Sequence, residues 1–93
     1  MFLREEIDEL YNRFSDKVYE ENALSEKTKE LIAIACSVMA DCVPCLSWHY
    51  QKAVEARLSK EEISEALAIA MSVCSGSKRA KYSELIDELE KKR

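Results

Sequence analysis

Glycine and proline each occur once in these 93 residues, as Gly76 and Pro44, and histidine and tryptophan also occur once, as His49 and Trp48. So little turn chemistry leaves scant material for hairpins, and no segment alternates apolar and polar residues over the length of a strand. A β-rich fold is thereby set aside. No apolar run is long enough to span a bilayer, so no membrane partner is expected. The N-terminus carries Arg4, Glu5 and Glu6 where a secretory leader would place its apolar core. An excess of positive charge is missing too. Fourteen Lys and Arg stand against 18 Asp and Glu, a net charge of −4, and the basic residues are dispersed apart from Lys91-Lys92-Arg93. Nucleic-acid binders need a basic surface to neutralise phosphates, so nucleic acid is not an expected partner. The expected location is the cytoplasm.

What the chain has is helical periodicity and apolar content. Leu3, Ile7, Leu10, Tyr11, Phe14 and Val18 recur at spacings of three and four, which predicts a first amphipathic helix. After a short connection over Glu20–Leu24, Ser25 supplies the N-cap of a second helix. From Leu31 to Ala40 only Ser37 is conventionally polar, so this helix is expected to be buried on all sides, as the central helix of the fold with a subunit contact as one source of its cover. Asp41–Pro44 forms a break, and a third helix runs from about Pro44 to Ala56. Ser59 and Glu62 make a capping box that opens a fourth helix, with Ile63, Leu67, Ala70, Met71 and Cys74 on its apolar side. Gly76 is the expected stop. A fifth helix with Tyr82, Leu85, Ile86 and Leu89 follows it. The expectation is a single all-α domain over residues 1–93 with about five helices. At this length a chain buries only about two-thirds of its unfolded surface. With 47% hydrophobic residues, self-association is therefore expected.

The chemistry concentrates in Cys42-Val43-Pro44-Cys45-Leu46-Ser47-Trp48-His49, with Glu30 twelve residues before Cys42. Spacings of three and four put Cys42, Cys45 and His49 on one helical stripe. Pro44 suits the first helical position, which sets Cys45 in the first turn near the positive end of the macrodipole. A thiol there ionises more readily, and the thiolate is the reactive form. His49, one turn on, can take or return its proton. Asp41 opposes ionisation of Cys42. In a reducing compartment this pattern reads as catalytic or metal-binding rather than as a structural staple. A zinc site would draw a fourth ligand from Cys36, Cys74 or Glu30, but no second ligand pair of the usual kind is present. Cys36 and Cys74 otherwise read as buried structural residues, and Trp48 as packing. If the second and third helices form a plain hairpin, Glu30 and His49 are offset by roughly 9 Å along it. A long side chain, a crossing angle or a bridging water must close that gap.

The spacing Glu30-x11-Cys42-x2-Cys45-x3-His49 resembles the signature of alkylhydroperoxidase AhpD-like proteins in the carboxymuconolactone decarboxylase superfamily. Thr28–Ala40, the run His49-Tyr-Gln-Lys-Ala53 and the run Leu58-Ser59-Lys-Glu-Glu-Ile63 are similar to its flanks, so the resemblance is strongest over 24–76. It implies an all-helical fold assembled as homo-oligomers, often hexamers built from trimers or dimers. The implied chemistry is thiol-dependent peroxidase or disulfide reductase activity on a peroxide or disulfide, with no flavin or metal cofactor. The implied reductant is a dithiol such as a lipoyl or thioredoxin-like protein. By the same resemblance Cys45 attacks, Cys42 resolves and donates a proton, and His49 and Glu30 relay protons. Two positions depart from the pattern. Arg57 stands where many relatives carry glycine, and Val43-Pro44 stands where some peroxidases carry a second histidine. The founding decarboxylases lack the dithiol, so lactone decarboxylation is not expected.

Overall fold

Two serines and a cysteine set where three of the helices begin. The computed structural model describes all 93 residues and contains four α-helices and no strand. They are α1 (Glu5–Tyr19), α2 (Glu26–Met39), α3 (Val43–Glu55) and α4 (Lys60–Lys91). The Ser25 hydroxyl accepts the N–H of Thr28 at 3.1 Å and caps α2. At α4 the Ser59 hydroxyl accepts the Glu62 N–H at 3.0 Å, while the Glu62 carboxylate accepts the Ser59 N–H at 2.9 Å, completing the expected capping box. At α3 the cap is the sulfur of Cys42, which accepts the Cys45 N–H at 3.2 Å. The helix therefore opens at Val43, with Pro44 second, one residue before the expected start.

α2 and α3 end in the same way. Asp41 takes a left-handed φ of 54°, its N–H returns to Val38 O at 3.1 Å, and the Cys42 N–H returns to Ser37 O at 3.0 Å. At the end of α3, Arg57 takes φ 66°, its N–H reaches Val54 O at 3.0 Å, and the Leu58 N–H reaches Ala53 O at 3.0 Å. These paired bonds are those of a Schellman stop, whose left-handed position is usually glycine because it has no Cβ to clash. Cys42 thus has two structural tasks. Its N–H closes α2 and its sulfur opens α3.

The core sits where α2 packs on both α3 and α4. Ile34, Ala53, Leu58 and Ile63 form its centre, with Leu31, Leu46 and Leu67 packed around them. Ser37 is buried on the same helix face and gives its hydroxyl to Ala33 O at 2.6 Å, so no polar atom is left unpaired there. α1 has no buried residue; it rests mainly against α2 and reaches α3 through Tyr19 at its last turn.

Two expectations are corrected. There are four helices rather than five, because α4 runs straight through Gly76 to Lys91. A single glycine inside a run of good helix formers costs about 1 kcal/mol, too little to end a helix unless the chain also turns left-handed there. Gly76 does not have a positive φ. The second concerns α2, which the single chain does not by itself cover on all sides. Ile32, Cys36 and Met39 lie on an open stripe, and Met71 of α4 is also exposed.

Every residue from Ser75 to Arg93 is exposed, so the second half of α4 projects free of the core. The radius of gyration is 18.3 Å, against about 12 Å for a closed domain of this length. No helix is long and apolar enough to cross a membrane.

Candidate active site

The start of α3, the first turns of α2 and the end of α1 meet around a cavity of about 720 Å³. Cys42 and Cys45 are joined in a disulfide, with an S–S distance of 2.02 Å. Cys45 is exposed and lines this cavity, whereas Cys42 is half-buried and lines a separate groove with Ser37, Asp41 and Leu46. One turn along α3 from Cys45, His49 faces the same cavity. Its Nδ1 lies 2.9 Å from Oε2 of Glu30. Both side chains are nearly enclosed, at 12% and 6% exposure. The axial offset that the sequence leaves between them is therefore closed directly, without a bridging water. A carboxylate can only accept, so Nδ1 carries the proton in this pair and Nε2 is the nitrogen left for exchange.

That second nitrogen also has a neighbour. The hydroxyl of Tyr19, the last residue of α1, lies 3.3 Å from His49 Nε2, and the two rings are 5.0 Å apart and tilted by 43°. Burial pushes the Tyr19 phenol above its ordinary value, and the nearby Glu30 carboxylate and Cys36 add to the effect. The end of α1 is held in place by Lys29, whose ammonium donates to the carbonyls of Val18 (2.8 Å) and Glu20. Those carbonyls flank Tyr19 and belong to the electronegative end of α1, where a cation is favoured.

The structure brings together three of the four residues singled out from sequence, Cys45, His49 and Glu30, in one cavity. Cys42 is bonded to the first of them from the neighbouring groove. Sequence reasoning missed Tyr19, which lies just off the apolar stripe of α1 and carries no local signal of a partner 30 residues away. It also misjudged Trp48. The indole is 59% exposed on the cavity wall rather than packed, with Lys52 Nζ 4.9 Å above its ring. Cys36 is exposed rather than buried, and Cys74 is half-buried with its sulfur 3.1 Å from Met39 Sδ. No three His, Cys, Asp or Glu side chains converge to hold a metal ion. Glu30, one of the three fourth ligands that the zinc alternative could draw on beside Cys36 and Cys74, is hydrogen-bonded to His49.

Comparison with known proteins gives a consistent picture. The chain is 30% identical over 87 residues to uncharacterised protein 4 of the cox locus of Paracoccus denitrificans, covering 90% of this chain and 78% of that one. A solved structure from Methanobacterium thermoautotrophicum superposes with a TM-score of 0.80 at 34% identity, covering 87% of this chain and 88% of that one. A second, from Thermotoga maritima, superposes at 0.69 with 27% identity over 97% and 99% of the two chains. That protein is a carboxymuconolactone decarboxylase family member for which a part in antioxidative response has been suggested. The model of the carboxymuconolactone decarboxylase family matches residues 5–88, and the chain belongs to that family.

Proposed function

We propose that the protein is a thiol-dependent oxidoreductase of the AhpD-like kind, acting as an alkylhydroperoxidase or disulfide reductase. One observation carries the reading. Cys45, half of a closable dithiol, opens into the cavity that holds the buried Glu30–His49 pair. The antioxidative role suggested for the Thermotoga relative fits the same chemistry.

In the reduced protein His49 takes the Cys45 proton at Nε2, and the Glu30 carboxylate stabilises the imidazolium that forms. The thiolate attacks one oxygen of a hydroperoxide. An S–O bond forms, the O–O bond breaks, and the alcohol leaves with the proton returned by His49, so that Cys45 becomes a sulfenic acid. Cys42 then attacks that sulfur, the S–S bond forms, the S–O bond breaks and water departs. With a small disulfide as substrate, Cys45 displaces one thiol and Cys42 displaces the other. Either way an external dithiol, of the lipoyl or thioredoxin-like class, reopens Cys42–Cys45 and is itself oxidised. No flavin or metal is needed in these steps. A cytoplasmic setting, where thiols are kept reduced, suits the cycle.

A second reading exchanges the two sulfurs. The Cys42 sulfur accepts the Cys45 N–H at the start of α3, where negative charge is favoured. However, Cys42 faces the groove away from His49 and so lacks the base. The test is turnover of peroxide against small disulfides, with several dithiols, in wild type and in Cys42→Ser and Cys45→Ser proteins. Cys45→Ser should abolish modification by peroxide, whereas Cys42→Ser should stall at a Cys45 sulfenic acid. The reverse pattern would support the exchange.

The functional unit we propose is a homo-oligomer, trimeric or hexameric. Phe14 and Leu10 on the outer face of α1 and Leu85, Ile86 and Leu89 on the projecting half of α4 are exposed in the single chain. A second copy would cover these apolar faces.

A further inference from the structure

We propose that Tyr19 is a positioning residue of the dithiol site, one that fixes His49 through Nε2 while Glu30 fixes it through Nδ1. The inference rests on the reading of Cys42 and Cys45 as a redox pair, and it brings α1 into a site that the sequence places on α2 and α3 alone. With Nδ1–H given to Glu30 at 2.9 Å, the neutral imidazole presents a bare Nε2, and the Tyr19 hydroxyl at 3.3 Å donates to it. When Nε2 takes up the Cys45 proton, the same hydroxyl rotates and its oxygen accepts from the new N–H. The ring is thus held in one orientation in both protonation states. Because the imidazolium form is charged, its bond to the phenol oxygen is the stronger of the two. The hydroxyl therefore favours the state in which His49 holds the proton and Cys45 is a thiolate. Lys29, through the carbonyls of Val18 and Glu20, holds the end of α1 at the position this requires.

Other charged or titratable groups face the same cavity. α1 and the residues after it bring Tyr11, Asp16, Glu20 and Glu21. α2 brings Glu26 beside Glu30, with Cys36 close to the Tyr19 phenol. α3 brings Lys52. All of these remain in a Tyr19→Phe protein, which keeps the ring against His49 and removes only the oxygen.

The experiment is alkylation of Cys45 by iodoacetamide in fully reduced protein, followed by mass spectrometry of the modified peptide from about pH 5 to about pH 10, a span that covers histidine and thiol titration. Tyr19→Phe is expected to move the profile upward by about one pH unit and to slow alkylation near neutrality about tenfold, the size of effect expected when a charged group loses one hydrogen bond. An unmoved profile overturns the inference. A second measurement needs no variant. His49 is the only histidine, so its ¹⁵N signals are unambiguous. The neutral ring is expected to be protonated at Nδ1, and a ring protonated at Nε2 overturns the inference. If Cys45→Ser abolishes turnover while Tyr19→Phe leaves the alkylation profile in place, the Tyr19 inference fails alone. If Cys45→Ser turns over like wild type, the oxidoreductase reading fails, and the alkylation profile still decides the role of Tyr19.

Discussion

Glu30 and His49, from different helices, meet at 2.9 Å in a contact almost sealed from solvent. Burying a carboxylate is costly unless it is paired, so Glu30 is a partnered buried group and not a solvated surface charge. Glu30→Gln preserves shape but removes the charge that stabilises an imidazolium. It is expected to lower turnover by on the order of 10²-fold, as is His49→Gln, the usual scale for losing general acid–base assistance. Steady-state kinetics with peroxide and disulfide substrates check this, and a double variant should be scarcely worse than either single one.

Arg57 holds the left-handed position that ends α3, at φ 66°. Arg57→Gly removes the Cβ clash and is expected to stabilise the protein by about 1 kcal/mol, with a rise in melting temperature of several degrees. A thermal melt on the reduced protein checks it. Were Arg57 not in a left-handed conformation, the substitution would instead destabilise by freeing the unfolded chain.

Gly76 lies inside α4, and a Cβ built there meets nothing within 4 Å. Gly76→Ala is expected to add about 0.5–1 kcal/mol of stability. A helix ending at Gly76 would instead be damaged by alanine, so the sign of the change in a denaturant melt separates one long helix from two short ones.

The capping box of α4 makes stability depend on acid. The Ser59 backbone and hydroxyl bonds hold the Glu62 carboxyl below the usual carboxylate range. A depressed folded value means that the ionised group stabilises the fold above its ordinary value near 4.5 and that this contribution is lost as pH falls through the folded value. Glu62→Gln should flatten that part of the stability–pH curve. Ser59→Ala should cost about 1 kcal/mol at neutral pH.

Much of this was legible beforehand because it is local. Ser25, Ser59 and Glu62 announce their caps, and spacing gathers Cys42, Cys45 and His49. Glu30 joined them only through the family resemblance, spacing by itself leaving it about 9 Å from His49 along a plain hairpin. What could not be read depends on distant parts of the chain. Gly76 looked like a stop because glycine permits a left-handed turn, but only the rest of α4 decides whether the turn is made. The two left-handed positions that do end helices, Asp41 and Arg57, carry side chains that disguise them. Cys36 and Trp48 looked buried from their apolar neighbours, yet each lies where a neighbouring helix leaves a face open. Tyr19 joins the site only because α1 folds back over α2, and nothing near it in sequence records that.

The most direct measurement of the central claim is thiol trapping on reduced protein after exposure to one equivalent of a hydroperoxide or a small disulfide, read by peptide mass spectrometry. The account predicts that Cys42 and Cys45 become a disulfide and that an added dithiol restores both, while Cys36 and Cys74 stay alkylatable throughout. Oxidation at Cys36 or Cys74 with Cys42 and Cys45 still trapped as free thiols would contradict it.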